Sequence, residues 1–215
     1  MQKDFRFITV CRTGKEYTEA HVEWLQRQIG EPIYCLTNSI KPMKDVISIP
    51  LQYNWEGWWS KIELFRPDII AGGNFLFADL DTVFLKGIPE DFKTLTKTAP
   101  LRSVSGVDRY INSGLMFIAQ DCPKAIWEDF VKEPEALIQR FKSHPKRVMG
   151  DQDYLNPYLV DCPKLQELFP GQIVSYKVNL RTRRHNGMPK SPEHIICFHG
   201  QPRPWAAGLH WVPKL

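Results

Sequence analysis

The chain has 215 residues, 43% of them hydrophobic and 12% aromatic, which is enough apolar material for one α/β domain or at most two small ones. Its net charge of +4 allows a phosphorylated small molecule as a partner and is too weak to argue for nucleic acid. Residues 1–6 lack the apolar stretch of a signal peptide, and no run approaches the ~18 apolar residues of a membrane-spanning helix, so any membrane role is expected to be peripheral.

Residues 5–10 read as a first strand, followed by a Cys11-Arg12-Thr13-Gly14 loop. Residues 16–28 have helical spacing, with Tyr17, Ala20, Trp24, Leu25 and Gln28 on one stripe and Gly30 as the stop. Residues 33–36 form a second strand, and residues 46–49, closed by Pro50, a third. This β-α-β opening predicts parallel strands joined by a right-handed crossover. Residues 58–65 look helical and stop before Pro67. The pair Gly72-Gly73 then precedes Asn74-Phe75-Leu76-Phe77-Ala78, a short apolar run that reads as a buried strand. It leads into Asp79-Leu80-Asp81, with residues 82–85 as its continuation. Residues 115–119 are a further strand, residues 124–141 helical material broken near Pro134, and Asp151–Leu159 a short helix with Asp151 as its N-cap. Residues 195–198 are a late strand before a tail rich in Pro and Gly. No repeat or linker interrupts this order, so one α/β domain over residues 1–215 is expected.

Asp79-Leu80-Asp81 is the most informative triplet. On a continuing strand, positions i and i+2 face the same way, which aims both carboxylates at one point. Two carboxylates that close repel unless they share a proton or hold a cation. Hard oxygen ligands suit Mg2+ or Mn2+, and ligands of open α/β sheets bind just beyond the carboxyl ends of strands. Lys61 can reach a diphosphate, or lie solvated on its helix. Trp58 and Trp59 can wall a sugar or base, or belong to the core. Asn112-Ser113-Gly114 and Gly150-Asp151-Gln152-Asp153 offer hydrogen-bonding groups at the start of a strand and of a helix. His199 is a candidate third metal ligand, Gly200 lets a backbone approach a phosphate, and Arg203 can pair with one. Arg181-Thr182-Arg183-Arg184, with His185 beside it, reads as a solvated loop, with an anionic acceptor as the alternative, and Lys142, His144, Lys146 and Arg147 form a second basic stretch. The five cysteines are scattered and contain no Cys-x-x-Cys, which fits free thiols in a reducing cytosol and a cytoplasmic location.

Taken in order, these segments resemble the nucleotide-sugar-dependent glycosyltransferases of the GT-A fold, in particular the glycogenin-like and lipopolysaccharide galactosyltransferase-like enzymes. The resemblance spans nearly the whole chain: Phe7-Ile8-Thr9-Val10 with Tyr17, Lys61, Asp79-Leu80-Asp81, Asn112-Ser113-Gly114, Gly150-Asp151-Gln152, and a closing Gly200, Arg203, Pro204 and Trp205. It implies a Rossmann-like domain with a mixed, mostly parallel central sheet and a UDP-sugar or related donor. It implies Mn2+ or Mg2+ on Asp79, Asp81 and His199. It further implies donor contacts from Val10, Cys11, Thr13, Tyr17, Lys61, Asn112, Ser113, Gly200 and Arg203. Asp151, Gln152 and Asp153 fall at the reacting sugar, with a glycan or other molecule as acceptor. Two departures stand out. The family's histidine usually lies three residues before the glycine, where this chain has Cys197, while His199 directly precedes Gly200. Arg203 replaces a lysine and brings a planar fork in place of a point charge. A nucleotidyltransferase or sugar-nucleotide hydrolase, and a sugar-binding module without activity, are the rival readings.

Overall fold

A computed structural model describes residues 5–103, 109–142, 150–182 and 187–215. β1 (Arg6–Cys11), β2 (Ile33–Thr37) and β3 (Val46–Pro50) pair in parallel, as the β-α-β opening predicts. Between the first two runs α1 (Glu19–Ile29), which begins three residues later than its apolar stripe implies. Thr18 stands in extended backbone before it, and its N–H donates to His21 Nδ1 at 3.0 Å. Gly30, with φ of 80°, closes the helix in the left-handed conformation that glycine adopts at least cost.

Gly57–Phe65 is helical as expected but winds as a 3-10 helix, and a short α2 (Pro67–Ala71), not foreseen, starts on Pro67. A proline is tolerated there because its missing N–H would have no partner in the first turn. β4 (Phe75–Ala78) lies beside β1, parallel to it, and β7 (Ile111–Ile118) runs antiparallel on its other side. β6 (Ala99–Arg102) completes the order β3-β2-β1-β4-β7-β6, a mixed and mostly parallel sheet.

The residues after the central strand behave differently from the expectation. β5 (Thr82–Phe84) does not continue β4. The chain turns at Asp79-Leu80-Asp81, where the Thr82 N–H donates to the Asp79 carbonyl at 3.1 Å. β5 then enters a second sheet with β9 (Ile195–Cys197) and β8 (Ile173–Ser175), in the order β5-β9-β8. The aspartates therefore sit at a junction between two sheets.

Strand alternation sorts the core into two layers. Phe7, Leu76, Ala78, Leu115 and Phe117 pack on the side of α1 and the small sheet. Ile8, Phe75, Phe77, Met116 and Ile118 pack on the other side, against Trp59 and Ile62, α3 (Ala125–Phe130) and α5 (Asp151–Leu159). Every β4 side chain is buried, which is why its sequence reads as a continuous apolar run. The break near Pro134 is present: that residue opens α4 (Pro134–Lys142). α5 has the expected span, but its N-cap is Gly150, so Asp151 is the first helical residue and not the cap. α6 (Leu165–Leu168), a turn of π-helix at Tyr176–Leu180 and short 3-10 helices at Glu90–Thr94 and Pro204–Ala206 complete the described elements. His144, Lys146, Arg147, Arg183, Arg184 and His185 lie outside the described residues. All five cysteines are free, and among the described residues no helix is long and apolar enough to cross a membrane.

Candidate active site

Because β1 and β4 are parallel neighbours, their carboxyl ends reach the same edge of the sheet. A cavity of about 660 Å³ opens there. β1 and the loop after it contribute Val10, Thr13 and Tyr17, and the turn after β4 contributes Asp79 and Asp81. Lys61 enters from the Gly57–Phe65 helix, Asn112 and Ser113 from β7, and Asp151 and Gln152 from the start of α5. The segment after β9 closes the ring with His199, Gly200 and Arg203.

Lys61 is buried, not solvated. Its Nζ lies 3.0 Å from Asp79 Oδ1, 3.2 Å from Asp151 Oδ2 and 3.2 Å from Ser113 Oγ. Ser113 Oγ donates to Asp151 Oδ2 at 2.7 Å, and the Ser113 N–H to Gln152 Oε1 at 3.3 Å. Gly114 permits this crowding, since a Cβ there would stand 3.2 Å from Asp79 Oδ2 and 3.0 Å from Asn112 Oδ1. On the other side of the turn, Asp81 Oδ2 accepts from the Gly200 N–H at 2.9 Å and from Arg203 Nη1. Arg203 is also gripped by Glu16, and its guanidinium lies 5.1 Å from the centre of the Tyr17 ring.

His199 reaches the cavity by a route that strand alternation does not describe. β9 ends at Cys197, and His199 takes a φ of 53°, a strained value for a residue with a side chain. Lys177 Nζ donates to its carbonyl at 2.7 Å and helps hold that conformation. Cys197 is buried on β9, and burial, with the charges of Asp81 and Asp79 adding to it, pushes its thiol well above the ordinary range.

The charges are unequal. Burial opposes the charge of Lys61, but Asp151 and Asp79 outweigh it and raise the ammonium above its ordinary range. Burial pushes the Asp79 carboxyl up to about 7 against the pull of Lys61, and Asp81 and Asp151 add to the rise. One ammonium between two carboxylates leaves an excess of negative charge, which raises Lys61 and adds to the burial that raises Asp79. Burial holds the His199 imidazole down to about 4 against Asp81, with Lys177 and Lys61 reinforcing the effect.

Two of the sequence-derived site residues stand apart. The Cys11 side chain is buried on the α1 side of the sheet, where its thiol faces the Thr18 carbonyl at 3.7 Å, while Val10 faces the cavity. Adjacent strand residues point to opposite faces, so the two cannot both line it. Asp153 is bonded by the Tyr110 hydroxyl and does not line the cavity. Trp59 is core, whereas Trp58 is half exposed in the cavity wall, its indole filling the space a side chain at Gly150 would need. Glu16 is a cavity residue that the sequence does not mark: the spacing places it in the first helix, but α1 starts at Glu19 and leaves it on the cavity rim. The arginine at 203 was its one available signal, because a planar cation calls for a fixed partner.

Neither a protein-family model nor a curated protein sequence matches the chain. Solved structures do. The glycosyltransferase GlyE of Streptococcus pneumoniae TIGR4 is 18% identical with a TM-score of 0.59, over 97% of this chain and 62% of GlyE. The bifunctional glycosyltransferase WbbM is 11% identical with a TM-score of 0.62, over 95% of this chain and 47% of WbbM. The galactosyltransferase LgtC, solved in complex with donor and acceptor sugar analogs, is 12% identical with a TM-score of 0.61, over 93% of this chain and 89% of LgtC. The chain has the GT-A glycosyltransferase fold. It spans less than two thirds of GlyE and about half of WbbM. At these identities the likeness speaks for the fold, and the chemistry rests on the residues of the cavity.

Among the described residues, no three His, Cys, Asp or Glu side chains are gathered as a ligand set for a metal. Lys61 holds Asp79 and Arg203 holds Asp81. The donor chemistry nevertheless fits a hard divalent cation: two carboxylates in a site with surplus negative charge, and an imidazole kept in the neutral form that binds metals.

Proposed function

We propose that the protein is a glycosyltransferase that moves a sugar from a nucleotide-diphosphate sugar, a UDP-sugar in the first instance, to a glycan or other acceptor with the help of Mn2+ or Mg2+. The observation that carries this reading is the meeting of Lys61, Asp79, Asp81, Asp151, Gln152, His199 and Arg203 around one cavity on a GT-A fold. Asp79, Asp81 and His199 are the residues that would hold the cation. When bound, it neutralises charge that builds on the departing nucleoside diphosphate. Lys61 and Arg203 add fixed positive charge for the same leaving group, in a site already organised before the donor arrives. Tyr17, Thr13 and Val10, from β1 and the loop after it, take the nucleoside. Asp151 and Gln152, held by Lys61 and Ser113, take the sugar end and the acceptor.

Thermal unfolding with a panel of nucleotides tests the donor class. Uridine diphosphate with Mn2+ should raise the melting temperature more than either alone, since a ligand at about 100 times its dissociation constant adds roughly 2.7 kcal/mol. No shift with uridine, guanosine or thymidine diphosphate would remove the nucleotide-sugar reading. Binding of a free sugar without any nucleotide would favour a sugar-binding module.

A further inference from the structure

Arginine and lysine deliver charge differently. An ammonium is a point charge, whereas a guanidinium acts through a planar fork whose donors point in fixed directions. An arginine at a phosphate site therefore depends on what fixes its plane. Glu16 does so most directly: it accepts from Arg203 Nε and Nη2 in a side-on pair of bonds, each 2.6 Å long. The Tyr17 ring flanks the guanidinium at 5.1 Å, and Nη1 donates to Asp81. Gln201 Nε2 donates to Glu16 Oε1 at 3.3 Å and steadies the carboxylate. Each terminal nitrogen of a guanidinium carries a second N–H. On Arg203 these are left over from the bonds to Glu16 and Asp81, and both Arg203 and Glu16 line the cavity. The Glu16 side chain is 43% exposed and that of Arg203 only 16%. The carboxylate thus stays open to water while the guanidinium is largely covered, and the two-point contact fixes the guanidinium plane.

We infer that Glu16 is a positioning residue for Arg203: it holds the guanidinium side-on so that its remaining N–H groups meet the diphosphate of the donor. The inference rests on the nucleotide-sugar reading and assigns a partner to the one cation in the closing segment that departs from the family's lysine. The same contact could instead only neutralise Arg203 and compete with phosphate, and the two roles have opposite consequences for binding.

Calorimetric titration of uridine diphosphate in the presence of Mn2+ separates them, with wild type, Glu16→Gln, Arg203→Ala and the double variant. Glu16→Gln should weaken binding about tenfold, and the same substitution in the Arg203→Ala background should change it less than about twofold, because the effect passes through Arg203. Circular dichroism and melting temperature should show Glu16→Gln folded as wild type. Unchanged or tighter binding by Glu16→Gln would overturn the role, as would an equal loss in both backgrounds. If the wild type binds no uridine, guanosine or thymidine diphosphate, the nucleotide-sugar reading falls, and the role of Glu16 with it. If the wild type binds and Glu16→Gln matches it, only the role of Glu16 falls.

Discussion

Lys61→Met removes one charge while keeping an unbranched side chain of similar volume. In the structure Lys61 is 6% exposed and its ammonium touches Asp79 at 3.0 Å and Asp151 at 3.2 Å. Without it, two carboxylates face each other where water scarcely reaches. Removing one partner of a buried ion pair costs about 3–5 kcal/mol. In a chain of this size each kcal/mol moves the melting temperature by about 2–4 °C, so Lys61→Met should melt roughly 6–20 °C below wild type at pH 7. At pH 5 the folded wild type already holds a proton at Asp79, whose carboxyl is pushed up to about 7, so Lys61 has less charge to neutralise and the loss should be smaller. Urea and thermal unfolding at the two pH values measure the difference. An equal loss at both, or a loss at pH 7 of less than about 1 kcal/mol, would mean that Lys61 does not neutralise Asp79 and Asp151.

Asp79→Asn and Asp81→Asn should each abolish Mn2+-dependent binding of uridine diphosphate while circular dichroism stays native; retained Mn2+-dependent affinity in either would remove that residue from the cation site. His199→Ala should weaken the same binding less than either aspartate substitution, and Cys197→Ser should leave it unchanged, since that thiol is buried with its proton held on. Greater sensitivity at Cys197 than at His199 would return the ligand role to the position the family uses. On folding, Asp79 gains proton affinity, rising to about 7, and His199 loses it, falling to about 4, so across roughly pH 4 to 6.5 the folded state holds an extra proton at Asp79 and one fewer at His199. Stability from Asp79 therefore falls as pH rises and that from His199 increases. Relative to wild type, Asp79→Asn should gain stability with rising pH and His199→Asn should lose it, measured by urea unfolding at stepped pH without metal; reversed signs would contradict the assigned shifts.

Much of the fold was legible in the sequence because local pattern and global role agree there. The β1, β2, β3 and β4 runs are apolar and bounded by breakers, and Gly30 marks the end of α1. β8 is three residues long and β6 contains Pro100, so neither shows a period that a strand reading can use. The departure of β5 into a second sheet is set by the turn at Asp79-Leu80-Asp81 and by pairing with β9, more than a hundred residues later, which no local pattern contains. The same turn corrects the reason for the site: the aspartates meet the cavity because the chain reverses, not because a strand continues. Most of the site residues named from the sequence line one cavity. Cys11 and Asp153 do not, because adjacency in sequence was carried over where side-chain direction alternates or is claimed by a neighbour such as Tyr110. Glu16 escaped because its significance lies in a contact across 187 positions.

As a glycosyltransferase of the proposed kind, the protein must break the bond between the sugar's anomeric carbon and the diphosphate oxygen. Phosphorus NMR of a reaction containing Mn2+, a panel of nucleotide sugars and a mixture of saccharide acceptors reads this directly. The expected result is release of the intact nucleoside diphosphate from one donor of the panel, lost in Asp79→Asn, with mass spectrometry showing an acceptor heavier by one sugar residue. Nucleoside monophosphate with sugar phosphate, or pyrophosphate, would mean that the protein cleaves between phosphates and would contradict it.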